Sequence, residues 1–141
     1  MRKLALEIIW FDDDMLELRV CASNGRFSGQ ATFYAALDEP ARFAAKIEGF
    51  PLSASDSRDY KLGGGKFVEC GSATARLACK DGCGHLLVEI TICMPSGDEN
   101  SAVESSTLLV EALPAEIDSF VEQLRLMRVE VGQIAVLGQI S

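Results

Sequence analysis

The clearest feature of the chain is the alternation of apolar and polar positions in its first third. Leu4 to Phe11 is large or β-branched at most positions and runs into Asp12-Asp13-Asp14. Met15 to Ala22 then places Leu16, Leu18 and Val20 on one face and Glu17 and Arg19 on the other. That period of two predicts a half-buried strand. The acidic run between two strands reads as a hairpin turn, where Asp tolerates left-handed backbone. Asn24-Gly25 is a second hairpin signal. Phe27 to Tyr34 follows as a third strand, with Phe27, Gly29, Ala31 and Phe33 on one face. A three-stranded antiparallel meander is the expectation for this part.

The period then changes. Asp38 can cap a helix, Pro40 suits its first turn, and Phe43, Ile47 and Phe50 fall at i, i+4 and i+7. Gly49 and Pro51 stop it. Ser53 to Gly65 is polar and ends in three glycines, so a mobile loop is expected there. It is not a phosphate cradle, because Gly65-Lys66-Phe67 lacks the hydroxyl residue that follows the lysine in a Walker loop. Strands are expected at Lys66–Cys70, Thr74–Cys79 and His85–Met94. In the last of these Leu86, Val88, Ile90, Ile92 and Met94 share a face. Pro95 to Ser105 reads as a polar loop. Ser106 to Leu113 is apolar on both faces and is expected to be a central strand.

Pro114 opens a second helix with Glu116 and Asp118 in its first turn, where the macrodipole favours anions. Ile117, Phe120, Val121 and Leu124 form its apolar stripe, and Arg125 and Arg128 fall at its end. Val129 to Ile140 is apolar and β-rich, either an eighth strand or an exposed adhesive end. No sequence repeat is evident. The fold class is therefore α+β, a mostly antiparallel sheet of seven or eight strands curled into a sandwich or half-barrel, with two helices. One domain over residues 1–141 suffices, since a domain holds about 100–200 residues.

Composition narrows the function. Thirteen Lys and Arg against 21 Asp and Glu leave a formal net charge of −8. That disfavours gripping a nucleic-acid backbone or an anionic membrane surface, both of which need clustered basic residues. Arg2-Lys3 before apolar residues resembles the start of a signal peptide, but Glu7 interrupts the run and no small-residue cleavage site follows. The five cysteines are an odd number, which fits reduced thiols in a cytoplasm.

Few residues carry chemistry. Cys79, Cys83 and His85 have zinc-like spacing but lack a fourth ligand, unless Cys70 or Cys93 turns towards them; a turn at Lys80-Asp81-Gly82 explains the same residues. As redox thiols Cys79 and Cys83 are one residue too far apart, and His85 is the sole histidine available to a cysteine nucleophile. Asp12, Asp13 and Asp14 lack the spacing of an EF-hand loop. Glu17, Glu69, Glu89 and Glu111 fall on strands, at mutual distances that a sequence does not reveal. Neither a catalytic centre nor a cofactor is expected. Trp10 and Phe11 read first as core, as apolar residues at strand spacing usually are, and second as a contact patch; Tyr34 and Tyr60 suit partner contacts better, having apolar area and a polar tip.

The order of elements carries a resemblance. Strand, acidic turn and two strands lead into Leu37–Phe50 with Gly49-Phe50-Pro51, then Gly84-His85-Leu86-Leu87-Val88-Glu89-Ile90, and finally Leu108–Leu113 running into Ile117–Leu124. This pattern, over residues 4–126, resembles the small bacterial WapI-type immunity proteins. The five cysteines and the apolar tail after Met127 depart from it. The resemblance implies a cytoplasmic, non-enzymatic inhibitor that neutralises a bacterial toxin domain by direct binding. An acidic chain suits a basic toxin, and the expected contacts are the acidic loops: Asp12, Asp13, Asp14, Asp56 and Asp59, with Tyr60, or else Asp98 with Glu99. Two other readings stand beside it: a homo-oligomer built through the tail, and a small zinc or thiol protein centred on Cys79, Cys83 and His85.

Overall fold

The computed structural model describes residues 2–63, 71–82, 84–95 and 102–138. Among these residues eight strands form two antiparallel sheets. The first contains β1 (Arg2–Phe11), β2 (Met15–Ser23), β3 (Ser28–Ala36) and β8 (Ile134–Gly138) in the order β3-β2-β1-β8. The second contains β4 (Ser57–Gly63), β5 (Ser72–Cys79), β6 (Leu86–Pro95) and β7 (Val103–Ala112) in the order β4-β5-β6-β7. Two helices, α1 (Glu39–Ile47) and α2 (Pro114–Leu126), make the crossings between sheets. The expected α+β class with antiparallel sheets is the one observed.

The alternation seen in sequence sets the core. Leu16, Leu18 and Val20 of β2 and Leu86, Val88, Ile90 and Ile92 of β6 belong to one continuous apolar interior. β3 packs over β4, β5 and β6, and β2 over β7. The two helices pack on each other, α1 also against β4 and α2 against β8. Phe43 and Phe120 meet edge to face at 5.8 Å in the centre of the helix pair. Together Ile117, Phe120, Val121 and Leu124 bury the stripe expected of α2.

A repeat that the sequence does not display emerges in the topology. With β8 taken as a first strand, each sheet holds four strands in consecutive spatial order and is followed by a helix. Setting Pro40 against Pro114 places Phe43, Ile47 and Phe50 on Ile117, Val121 and Leu124, all six buried.

Several expectations are corrected. The mobile loop expected at Ser53–Gly65 contains strand β4, whose inner positions are Arg58, Tyr60 and Leu62. The expected strand at Lys66–Cys70 lies outside the described residues. β7 is an edge strand rather than a central one, and its outward Leu109 is exposed. Phe27 sits in the β2–β3 turn, 65% exposed, not in the core. Asp38 makes no side-chain cap; it pairs with Arg42 at 3.6 Å. Arg128 lies beyond the end of α2. The tail resolves into a turn at 129–133, with Val129 and Val131 exposed, and the buried strand β8 in the first sheet, so Ile134–Gly138 take the strand reading instead of the exposed adhesive end.

Candidate functional site

The site is created by a bulge. In β1, Leu4, Leu6 and Ile8 point inwards, and strict alternation would send Trp10 into the core as well. Ile8 pairs with Leu18, but Trp10 pairs with Glu17, so β1 advances two residues while β2 advances one. The extra residue reverses the phase of the strand. Trp10 therefore lands on the outer face beside Glu17, whose other neighbour is Tyr34 of β3. The rings of Trp10 and Tyr34 meet edge to face at 5.9 Å and 87°. They are 42% and 38% exposed, so the expected core position of Trp10 is corrected. Phe11, at the end of β1, is exposed as well.

The β1–β2 turn follows directly. Asp12 Oδ1 accepts the backbone N–H groups of Asp14 at 2.8 Å and Met15 at 2.9 Å. No described non-glycine residue has a positive φ, so the turn is closed by this side chain and not by left-handed aspartates. Asp12 is occupied within its turn, while Asp13 and Asp14 stand exposed.

Next to Tyr34 opens a cleft of about 500 Å³. Asp14 and Met15 line one side, Tyr34 and Glu39 another, and Tyr60 with Lys61 the β4 side. Glu39 is the one charged residue in the described interior, 9% exposed. The Tyr60 hydroxyl donates to its Oε1 at 2.8 Å. Phe43 stacks on the Tyr60 ring at 5.1 Å and 13°, which fixes the ring and hence the hydroxyl. Burial, and then the Glu39 carboxylate, push the Tyr60 phenol well above the ordinary tyrosine range, so it remains a donor. Tyr60 is thus half-buried rather than an exposed contact.

The other expected contact residues lie elsewhere. Asp56 Oδ2 accepts the Leu52 N–H at 2.8 Å and Arg58 Nη2 at 3.0 Å. Arg58 also donates to the carbonyls of Lys46 and Glu48 and lies 5.5 Å from the Phe50 ring centre. This group ties the end of α1 to β4. Asp59 is exposed on the outer face of the second sheet, opposite Arg76. Asp98 and Glu99 lie outside the described residues, as do Glu69, Cys70 and Cys83. Of the expected residues, the cleft brings together Asp14, Tyr34 and Tyr60. Glu39 and Arg42 carry no signal in the sequence beyond the helix start at Asp38 and Pro40, and the outward Trp10 matches the second of its two readings, a contact patch.

The zinc or thiol residues are differently engaged. Cys79 lies partly buried against the core, its Sγ 3.6 Å from the Ser53 carbonyl oxygen, and His85 Nδ1 lies 3.0 Å from Asp81 Oδ2. Among the described residues no three His, Cys, Asp or Glu side chains are grouped as metal ligands, and no helix is long and apolar enough to cross a membrane. Chemically, the cleft offers a buried carboxylate held by the Tyr60 hydroxyl, the exposed cations Arg42 and Lys61, and aromatic walls. Comparison of the chain with family models, curated proteins and solved structures found no match.

Proposed function

We propose that this chain is a non-enzymatic protein-binding module of the immunity type, which neutralises a basic toxin domain by holding it against the Trp10–Tyr34 end of the first sheet. The observation that carries this reading is the bulge that turns Trp10 outwards onto Tyr34. A large aromatic pair left exposed on an outer sheet face contributes nothing to the core, whereas Trp and Tyr are the residues that most often anchor interfaces. Glu17, the β2 residue paired with both Trp10 and Tyr34, and Asp13 and Asp14 in the adjacent turn give the patch a negative surround. Such a patch steers a basic partner and weakens with salt.

The test is capture from the source lysate by immobilised protein at low and then high salt. One dominant basic protein, released by salt and lost with Trp10→Ala plus Tyr34→Ala, is the expected result. Leu109→Ala, on the far sheet, should leave capture intact. Retention by the double variant as strong as that by the unchanged protein would reject this surface.

A further inference from the structure

We infer that the cleft beside Tyr34 is a guanidinium site, which receives an arginine side chain of the bound protein against Glu39. The inference rests on the protein-binding reading for the source of the arginine, and adds the chemistry by which that partner is recognised.

The argument begins with the cost of Glu39. An ionised carboxylate withdrawn from water is unfavourable unless hydrogen bonds or a counter-charge compensate it. Here the Tyr60 hydroxyl supplies a single hydrogen bond, to Oε1. A carboxylate accepts about four, so the group retains acceptor capacity facing the cleft. Two cations line the same cleft, Arg42 and Lys61, but among the described residues neither forms an ion pair with Glu39. Arg42 is exposed and pairs with Asp38 at 3.6 Å, and Lys61 is exposed at a β4 position that alternates away from the core. Arg42 and Lys61 share the lining with Asp14 and Glu39; with Arg42 paired to Asp38, Asp14 and Glu39 against Lys61 leave one negative charge, which favours a cation over an anion.

The walls select among cations. Tyr34 is half open beside the carboxylate, and Phe43 holds Tyr60 flat behind it. A planar guanidinium can lie on an aromatic face and present its paired N–H groups to a carboxylate, whereas an ammonium is more strongly hydrated and donates as a point. A cleft of about 500 Å³ exceeds the needs of one small ion and accommodates a long side chain entering from a partner surface.

The experiment titrates the whole protein with blocked arginine (Nα-acetyl-arginine amide), with its uncharged citrulline counterpart and with blocked lysine. Amide shifts are followed by two-dimensional NMR, and the fluorescence of Trp10, the only tryptophan, gives a second readout. Saturable shifts at Tyr34, Glu39 and Tyr60 with the arginine probe, weaker with lysine and absent with citrulline, are expected. Glu39→Gln should weaken arginine binding about tenfold, the size of one lost charge-assisted hydrogen bond. Equal responses to arginine and citrulline, or no response at these residues, would overturn the site. The three probes are compared on the unchanged protein, so the outcome holds even if Glu39→Gln does not fold. A negative result here would leave the Trp10–Tyr34 surface to be judged by its own capture experiment.

Discussion

The side chain of Gln123 completes the hydrogen bonding of Val136. Its Nε2 donates to the Val136 carbonyl at 3.0 Å, and the Val136 N–H donates to its Oε1 at 2.9 Å. Val136 belongs to β8, which pairs with β1 along one side only. One amide side chain on α2 therefore does for this residue what a further strand would do. Open strand edges invite pairing with other chains, and covering them is a recognised protection.

Gln123→Leu should lower stability by about 1–3 kcal/mol, the net worth of two hydrogen bonds. Gln123→Glu retains an acceptor for the Val136 N–H but loses the donor, and should fall between the two. Urea unfolding measures both. A leucine variant as stable as the parent would show that water replaces the clamp without cost.

Two glycines with the same backbone separate strain from collision. Gly63 has φ +73° and Gly49 has φ +72°. A Cβ on Gly63 would lie 2.6 Å from Phe33 Cγ and 2.8 Å from the Gly71 carbonyl oxygen, while one on Gly49 meets nothing within 4 Å. Gly49→Ala should cost about 1–2 kcal/mol for left-handed backbone alone. Gly63→Ala should cost about 1–3 kcal/mol more, as overpacking does. Equal midpoints in denaturant would mean that the sandwich yields at that edge.

Acid should act through Asp56. The Leu52 N–H holds its carboxyl below the usual range, with Arg58 adding to the effect and burial opposing it. A depressed carboxyl pKa stabilises the fold fully above the unfolded value, near pH 4, and that contribution is lost as pH falls through the folded value. The stability gap between the parent and Asp56→Asn should therefore close on acidification below about pH 4. A gap independent of pH would assign the effect to shape instead of charge.

Alkali should act through Tyr60. Its pKa is raised in the fold, so its contribution is complete below the ordinary tyrosine value of about 10 and fades as pH climbs towards the folded value. Phenolate absorbance should show one of the two tyrosines resisting ionisation above about pH 10 until the protein unfolds. Tyr60→Phe should remove that resistant group and flatten the alkaline fall in stability. Simple ionisation of Tyr60 at the ordinary value would contradict its burial against Glu39.

The legibility of the chain varied with how local each signal was. In β2 and β6 the inward faces are uniformly apolar, and the alternation identifies Leu16, Leu18 and Val20 of β2 and Leu86, Val88, Ile90 and Ile92 of β6, with Ala22 the one buried β2 residue it leaves unnamed. β4 escaped because its inward positions are Arg58, Tyr60 and Leu62. Arg and Tyr bury an apolar body while the polar end reaches a partner, here Asp56 and Glu39, so their burial leaves no apolar run. β7 was misplaced because Leu109 on its outer face suggested burial on both sides, a property conferred by neighbouring strands rather than by the residue.

The candidate site was legible only in fragments. Asp14 and Tyr60 lie 46 positions apart and meet because α1 carries the chain from the first sheet to the second. Trp10 looked like core because a single extra residue in β1 is invisible to a period of two until the strand is paired.

By itself the sequence determined the α+β class, both helices with their buried stripes, the first two hairpins and most strand faces. Those follow from spacings of two and of three to four residues, which act within one element. Tertiary structure alone decided the division into two sheets, the repeated four-strand-and-helix plan, the outward turn of Trp10 and the burial of Glu39. Each of these depends on which distant strand or helix lies alongside, and no local periodicity encodes that.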